Sequence, residues 1–370
     1  MDWMLLLEWV IKSFVLSLIL LGGFAYLTWF ERKVLARFQV RIGPNRAGPY
    51  ALLQPIADAV KLIFKEEFTP ARAEKILFFL APIVTVVPAL VVAAVVPWGP
   101  DIQIGSYTLR LYIADISVGV LYITAITSIA VYGITLAGWS SNNKYALMGG
   151  LRSSAQMVSY ELALGFCFVI AILMSGSMRP IDIVDAQRNG WFFLIQPAGA
   201  FVFLIATLAE VNRAPFDMPE AEQELAAGFH SEYSGMKFAL FFMAEYTKMI
   251  TISSIAVTLF FGGYLGPFVD QLPFLGPIYM LAKIVALLFF MVWVRATLPR
   301  IRYDRLMAFG WKVLLPLTLA LVLITAVGIL LAQEVNPNLI WITPVISAFA
   351  GFFAIGLVDR SLRRKAYAAR

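Results

Sequence analysis

The sequence contains almost none of the side chains that bind metals or form disulfides. It has one cysteine, Cys167, inside an apolar run, and one histidine, His230. A single cysteine cannot form an internal disulfide or hold an iron–sulfur cluster, and these two residues supply too few ligands for a typical zinc site. The sequence therefore predicts that the chain binds no metal and that any redox centre lies in another chain.

Charged residues are also scarce. Asp, Glu, Lys and Arg make up 14% of the 370 residues, hydrophobic residues make up 61%, and the mean hydropathy is +0.81. Soluble domains have about 25% charged residues, so this composition is not that of a soluble protein. A helix needs ~20 mostly apolar residues to cross the ~30 Å hydrocarbon layer, and several runs reach that length. The composition predicts an all-α membrane protein, a polytopic helical bundle.

Nine apolar segments are candidates for transmembrane helices. They are 9–30, 77–97, 113–138, 156–175, 191–211, 236–262, 277–297, 310–332 and 340–358. The whole chain, 1–370, is predicted to be a single integral membrane domain. Within it we expect an interfacial turn and amphipathic helix at 41–67 and an acidic cytoplasmic loop at 212–235.

Basic residues are concentrated in alternate loops. Nine Lys and Arg residues lie between the first and second spans, whereas the second loop has only Arg110 and the sixth and eighth loops have none. Loops rich in Lys and Arg remain on the cytoplasmic side, so we expect the N-terminus outside and the C-terminus in the cytoplasm. This topology, together with anionic phospholipid, accounts for the net charge of +6, and nucleic acid is not an expected partner.

The first cytoplasmic loop combines a turn with an amphipathic segment. The stretch RIGPNRAGP (41–49) contains two Gly-Pro pairs, which favour a compact turn because proline fixes φ and glycine permits positive φ. The following stretch, LLQPIADAVKLIFKE, separates polar from apolar residues at helical spacing. Such a helix either lies among the lipid headgroups, where it could shape an entrance for a lipid-soluble molecule, or packs on the surface of the bundle.

A cluster of acids follows the fifth span. The stretch NRAPFDMPEAEQEL (212–225) contains Asp217, Glu220, Glu222 and Glu224. Capping of a helix N-terminus explains Asp217 and Glu220 but not Glu224, which would lie one turn from Glu220 on the same face and repel it. The cluster requires cations, water or shared protons nearby, so the pattern favours proton exchange over capping alone.

Three more carboxylates, Glu161, Glu210 and Glu245, lie inside predicted spans. A charge at the centre of the bilayer costs ~2.5–3.5 kcal/mol on insertion scales, and residues with this cost usually line a proton or ion pathway. We therefore predict that these glutamates carry protons. The alternative is that Glu245 pairs with Lys248 on the same helix face and that the pair only ties helices together.

Three stretches within residues 31–67 and 139–247 resemble one known family. They are ERKVLARFQVRIGPNRAGPYALLQPIADAVKLIFKE, SNNKYALMGGLRSSAQMVSYELALG and AEVNRAPFDMPEAEQELAAGFHSEYSGMKFALFFMAEY. In this order they resemble the family of the H subunit of bacterial NADH:quinone oxidoreductase, respiratory complex I, whose mitochondrial homologue is subunit 1. Three long motifs in the order of the family make the likeness specific.

The resemblance implies a subunit that anchors the redox arm to the membrane arm and forms the entrance and much of the tunnel for quinone. It also implies that the chain couples quinone reduction to proton translocation. No cofactor is expected in the chain itself, whereas FMN and iron–sulfur clusters are expected in partner subunits. The expected partners are hydrophilic quinone-site subunits, neighbouring membrane-arm subunits, quinone and phospholipid, and the expected location is the bacterial inner membrane.

The resemblance also implies roles for individual residues. The tunnel lining would include Arg32, Arg37, Arg41, Arg46, Ala57 and Arg213. The proton relay, which couples quinone reduction to proton movement, would include Glu161, Glu210, Glu245, Asp217, Glu220, Glu222 and Glu224. His230, beside Glu232, is interpreted as a hydrogen-bonded surface residue.

Three other functions compete with this interpretation. A proton-coupled secondary transporter would also bury acids, but residues 1–180 and 181–358 do not show the inverted repeat that such transporters have. A membrane anchor of a related hydrogenase, or of an oxidoreductase with another electron donor, would share this ancestry, although the intact GPNRAGP and EVNRAPFDMPEAEQEL motifs favour the quinone enzyme. A purely structural anchor predicts that neutralising the buried acids affects assembly or nothing.

Overall fold

The computed structural model describes residues 3–105, 107–218, 228–336 and 341–368. In chain order its helices are α1 Trp3–Phe38, α2 Gln54–Phe64, α3 Lys75–Val91, α4 Gly119–Ser140, α5 Lys144–Ser175, α6 Pro180–Asp185, α7 Phe192–Ile195, α8 Pro197–Glu210, α9 Gly235–Phe260, α10 Leu275–Thr297, α11 Tyr303–Phe309, α12 Leu315–Glu334 and α13 Thr343–Ala368. A π-helical turn, Gly310–Leu314, joins α11 to α12. One short antiparallel hairpin pairs β1 Ile102–Ile104 with β2 Tyr107–Leu109.

The predicted fold class, an all-α polytopic membrane protein, is confirmed. Seven helices in the described part of the chain are long and apolar enough to cross a membrane, and they coincide with seven of the nine predicted spans. Shorter apolar helices, Pro197–Glu210 and Thr343–Ala354, lie at the fifth and ninth predicted spans.

Several predicted boundaries are wrong. The fifth span is not one helix, because the backbone breaks at Gln196 (φ −134°, ψ 65°), directly before Pro197, which cannot donate a helical hydrogen bond. Helix α5 begins at Lys144 and not at residue 156, because the Asn143 side chain caps it by accepting a hydrogen bond from the Tyr145 amide at 2.9 Å. Helix α1 continues to Phe38 and not to residue 30, which places Glu31 inside the helix.

Helix α9 lies at the centre of the bundle. Of its most apolar stretch 67% is buried, compared with 11% for α1, and it packs against α1, α3 and α10. Its buried face combines apolar side chains such as Met249 and Ile252 with the charged residues Glu245 and Lys248. The charged side chains of α9 therefore lie where charged residues of the neighbouring helices can pair with them.

Helix α2 lies where the sequence predicts an amphipathic helix. Its residues Ile56, Val60 and Ile63 are exposed, so the apolar side of the helix is uncovered in the isolated chain. The helix packs against α1 and α9, and a salt bridge of 2.6 Å between Arg32 Nη1 and Asp58 Oδ2 joins it to α1. Its location among lipid headgroups stays a prediction.

Candidate functional site

A buried arginine, Arg213, connects three helices. The chain leaves α8 at Glu210, turns at Asn212 (φ 53°), and places Arg213 in the interior with 3% of its surface exposed. Arg213 Nη1 lies 3.2 Å from Glu31 Oε1 on α1, and Arg213 Nε lies 3.0 Å from Glu245 Oε1 on α9. A buried charge is tolerated when it is paired in this way.

Aromatic and ionic contacts complete the environment of Arg213. The Arg213 guanidinium lies over the ring of Tyr246, 4.3 Å from its centroid, which adds a cation–π contact. A second arginine, Arg295 on α10, also donates to Glu31 Oε1. The two arginines and two glutamates, Glu31, Arg213, Glu245 and Arg295, are called the arginine cluster below.

Sequence reasoning does not find Glu31 and Arg295. The predicted first span ends at residue 30 and so leaves Glu31 in a loop, and Arg295 falls near the end of the seventh predicted span. In the structure both lie within helices that are long and apolar enough to cross a membrane. The unbroken helical pattern through residue 38 is the signal that could reveal Glu31.

A second buried ion pair lies one turn further along α9. Lys248 Nζ donates to Glu210 Oε1 at 2.6 Å, and both residues are at least 91% buried. The other oxygen, Glu210 Oε2, has no hydrogen-bond partner among the described residues. Lys248 does tie two helices together, as the alternative interpretation expected, but its partner at 2.6 Å is Glu210, whereas Glu245 lies 3.0 Å from Arg213.

One cavity joins the two groups of charges. Its lining residues include Glu210, Glu245 and Lys248, together with Thr85, Asn212, Asp217 and His230. About 40 Å³ of the cavity is accessible to the centres of water molecules. Since one water molecule needs roughly 10–15 Å³ by this measure, the cavity has room for a few of them. The arrangement permits hydrogen-bonded exchange of protons between carboxylates that do not touch each other directly.

Part of the acidic loop contributes to this cavity. Asp217 is 9% exposed, lines the cavity, and lies 3.8 Å from Arg300 Nη2. The loop is also held by the Ile301 amide, which donates to the Pro215 carbonyl at 3.0 Å. The remaining predicted acids, Glu220, Glu222 and Glu224, lie outside the described residues.

The interpretation of His230 as a surface residue is wrong. His230 is 8% exposed, stacks on Phe229 with ring centroids 3.9 Å apart, and lines the cavity. Its approach to α5 depends on two glycines, because a Cβ atom on Gly149 would lie 2.5 Å from the Cα atom of Gly228. Glu232 does not lie with it in the interior but accepts a hydrogen bond from Asn143 Nδ2 at 2.7 Å.

The remaining predicted residues do not line the cavity. Glu161 on α5 is partly buried and accepts a hydrogen bond from Ser128 on α4. The residues predicted to line the quinone tunnel, other than Arg213, are exposed: Arg32, Arg37, Arg41, Arg46 and Ala57. The structure thus brings together Glu210, Arg213, Asp217 and Glu245.

Comparison with known proteins identifies the family. The profile of the family described as NADH dehydrogenase matches residues 11–326. The H subunit of NADH-quinone oxidoreductase from Thermomicrobium roseum is 50% identical over 329 residues, covering 86% of this chain and 95% of the relative. The protein of the same name from Dehalococcoides mccartyi is 46% identical over 350 residues, covering 92% of this chain and 95% of the relative.

The chain belongs to the family of the NADH-quinone oxidoreductase H subunit. The resemblance inferred from the three sequence motifs is confirmed over most of the chain. An H subunit is a membrane component of a larger oxidoreductase, so other subunits are expected around it. Membership of this family supports the oxidoreductase interpretation over a secondary transporter or a hydrogenase anchor.

Proposed function

We propose that this chain forms the entrance and part of the tunnel for quinone in an NADH-quinone oxidoreductase and couples quinone reduction to proton translocation. The observation that carries the proposal is the shared cavity: Glu245, which pairs with Arg213, and Glu210, which pairs with Lys248, both line it. Negative charge that develops near the arginine cluster therefore affects two carboxylates that can contact the same water molecules in the cavity.

The chemistry consists of a coupled electron and proton transfer. A quinone that accepts two electrons must bind two protons to become a quinol, and negative charge develops on its oxygens before those protons arrive. Arg213 is a buried cation and Arg295 a partly buried one, and both are suited to stabilising such an anion, because electrostatic attraction is stronger in an interior of low dielectric. The electrons come from FMN and iron–sulfur clusters in partner subunits.

Charge near the arginine cluster changes the proton affinity of the neighbouring carboxylates. An anion that attracts Arg213 weakens its ion pair with Glu245, and a carboxylate that loses its counter-cation takes up a proton more readily. That proton is drawn from the cavity, where Glu210 and Asp217 are the other acidic residues of the lining. When the quinol leaves, Arg213 returns to Glu245 and the proton is released. Glu161 and the acids Glu220, Glu222 and Glu224 are further members of the relay.

The remaining assignments follow from the same proposal. Arg32, Arg37, Arg41, Arg46 and Ala57 lie at the entrance, where α2 guides the apolar tail of quinone out of the lipid. The partners are the hydrophilic subunits at the quinone site, adjacent membrane subunits and phospholipid. The N-terminus lies outside and the C-terminus in the cytoplasm of a bacterial inner membrane, as the distribution of basic residues supports.

Glutamine variants test the relay. In Glu210→Gln and Glu245→Gln complexes we expect normal assembly and normal NADH oxidation by a flavin-directed acceptor, because the flavin lies in a partner protein. We expect quinone-linked proton pumping to be lost, since an amide cannot exchange a proton. Asp270→Asn, a change at an acid on the outer surface that is 82% exposed, is the matched control. Full pumping by both glutamine variants would show that the relay assignment is wrong.

A further inference from the structure

A buried glutamine, Gln156, holds the segment that carries Arg213. Gln156 lies on α5, five positions before Glu161, and is completely buried. Its Nε2 atom donates to the carbonyl of Ala209 at 2.9 Å and to the carbonyl of Phe216 at 2.7 Å. A single side-chain nitrogen therefore uses both of its hydrogens on two backbone positions that are separated by seven residues in the chain.

In the sequence, the Ala209 and Phe216 carbonyls lie on either side of the charged residues of the site. Between them lie Glu210, which pairs with Lys248, and Arg213, which pairs with Glu31 and Glu245. This segment is not helical after Glu210, so helical hydrogen bonds do not fix it. Turn hydrogen bonds hold its backbone, among them those from the Arg213 amide to the Leu208 carbonyl at 3.1 Å and from the Phe216 amide to the Arg213 carbonyl at 2.8 Å. The Ile301 contact described above and Gln156 tie the segment to the rest of the bundle.

We propose that Gln156 is a positioning residue for Arg213. The proposal rests on the function proposed above. By fixing Ala209 and Phe216, the Gln156 amide sets where the chain turns, and the turn aims the Arg213 guanidinium between Glu31 and Glu245 at 3.2 and 3.0 Å. An apolar side chain of similar size would fill the space but would remove both amide donors. The Ala209 carbonyl would keep the Asn212 amide at 3.3 Å and the Phe216 carbonyl the Met218 amide at 3.1 Å, but the segment would lose this tie to α5 and would shift.

The chain offers a matched control at the opposite end of the bundle. Gln187 is 1% exposed, and its Nε2 atom also donates to two backbone carbonyls, those of Ile183 at 3.1 Å and Thr258 at 2.9 Å. Gln187 is therefore also a buried amide that donates twice, and it holds no charged residue of the cavity. Its Oε1 atom additionally accepts from the Phe192 and Gly262 amides at 3.3 and 2.9 Å. If a Gln156 variant loses quinone turnover and the equivalent Gln187 variant does not, the loss results from a displaced Arg213 and not from the removal of a buried amide as such.

The decisive experiment compares Gln156→Met and Gln187→Met in the intact purified complex. Both changes should lower the thermal stability of the complex, Gln187→Met by at least as much as Gln156→Met, because among the described residues Gln187 makes four hydrogen bonds to the backbone and Gln156 makes two. Gln156→Met alone should lower kcat for quinone per assembled complex about ten- to a hundredfold, because small displacements of charged groups cost this much in rate. The KM for quinone should change little, since the contact acts on the reacting state. Equal quinone turnover in the two variants would overturn the proposal.

Gln156→Glu provides a second readout. A carboxyl group donates a hydrogen bond only when it is protonated, so quinone turnover of Gln156→Glu should fall as the pH rises, relative to the wild type at each pH. A pH profile parallel to that of the wild type would contradict a role for the donated hydrogen bonds. These outcomes are distinct from a failure of the relay, which is read from the proton-to-electron ratio of the Glu210→Gln and Glu245→Gln complexes.

Discussion

Helix α9 contacts two cations in different ways, one near its middle and one at its C-terminal end. Near the middle, three residues after Glu245, the buried Lys248 pairs with the carboxylate of Glu210, which lines the cavity. At the C-terminal end, the partly buried Lys283 ammonium of α10 donates to three backbone carbonyls, those of Phe261, Gly263 and Leu265, at 2.7–2.9 Å. It also lies 4.7 Å from the ring centroid of Trp191.

The difference separates a charge that can take part in proton exchange from one that stabilises the fold. A carboxylate partner can bind a proton and release its cation, whereas a backbone carbonyl cannot, and Lys283 has used all three of its donors. The carbonyl end of a helix also attracts a cation through the helix dipole, so Lys283 acts as a cap for α9. We infer that, of these two cations, Lys248 takes part in proton exchange and Lys283 stabilises the fold.

The largest effect is expected at Arg213. Arg213→Met leaves Glu31 and Glu245 buried without the cation between them, and breaking a buried ion pair on one side costs about 3–5 kcal/mol. We expect quinone reductase activity below about 1% of the wild type, because in the proposed function the developing anion would lose a stabilising charge. The conservative Arg213→Lys keeps the charge but loses the planar fork, and should retain partial activity. Quinone turnover per assembled complex is the measurement. Near-normal turnover of Arg213→Met would show that the ion pairs of Arg213 are not needed for quinone reduction.

A smaller effect on catalysis is expected at Lys248. In Lys248→Met, the buried Glu210 loses its cation and should remain protonated, so it can no longer exchange a proton. Electron transfer to quinone should continue at a reduced rate while the number of protons pumped per electron falls. Proton pumping in reconstituted vesicles measures this ratio. An unchanged ratio would remove the Glu210–Lys248 pair from the relay.

Lys283→Met should lower the stability of the complex without changing its proton pumping per electron. Three carbonyls lose a donor, so the complex should lose roughly 1–3 kcal/mol of stability, seen as a lower Tm. The ratio of protons to electrons in the surviving complex should equal that of the wild type. A changed ratio with an unchanged Tm would show that Lys283 belongs to the proton pathway.

The smallest effect is expected on the outer surface, at Asp115. The hydrogen bond and charge of Arg179 lower the pKa of Asp115, although partial burial opposes them. Because the folded-state pKa lies below the unfolded value of about 3.9, the pair stabilises the protein above that pH, and the contribution is lost as the pH falls through the folded pKa. A surface pair is worth less than about 1 kcal/mol. Asp115→Asn should therefore lower Tm slightly at neutral pH and leave it unchanged at the acid end, and no pH dependence of the difference would refute the pairing.

Much of the fold could be predicted from the sequence. Long apolar runs determine the transmembrane helices, because only helices satisfy the backbone in lipid without a neighbouring strand. The apolar run does not predict the break at Gln196, because a hydropathy average over the apolar neighbours of Pro197 does not register a single proline. The burial of His230 was missed because it depends on close packing of Gly149 against Gly228, which periodicity does not report.

The pairing of charges was the least predictable part of the site. Glu31 and Arg213 are 182 residues apart in the chain, and Glu210 and Lys248 are 38 apart. Local spacing therefore suggested Lys248 as the partner of Glu245, whereas the fold brings a distant arginine to Glu245. The residue types that matter were visible in the sequence, but the cavity that joins them exists only in three dimensions.

The central claim is tested most directly by following carboxyl groups during quinone reduction. Infrared difference spectra of the intact complex, recorded before and after reduction of bound quinone, report protonation of buried carboxylates in the carboxyl C=O stretching region. We predict a band that is lost in Glu245→Gln, altered in Glu210→Gln and unchanged in Asp270→Asn. Identical difference spectra in the wild type and in both glutamine variants would contradict proton exchange at these residues.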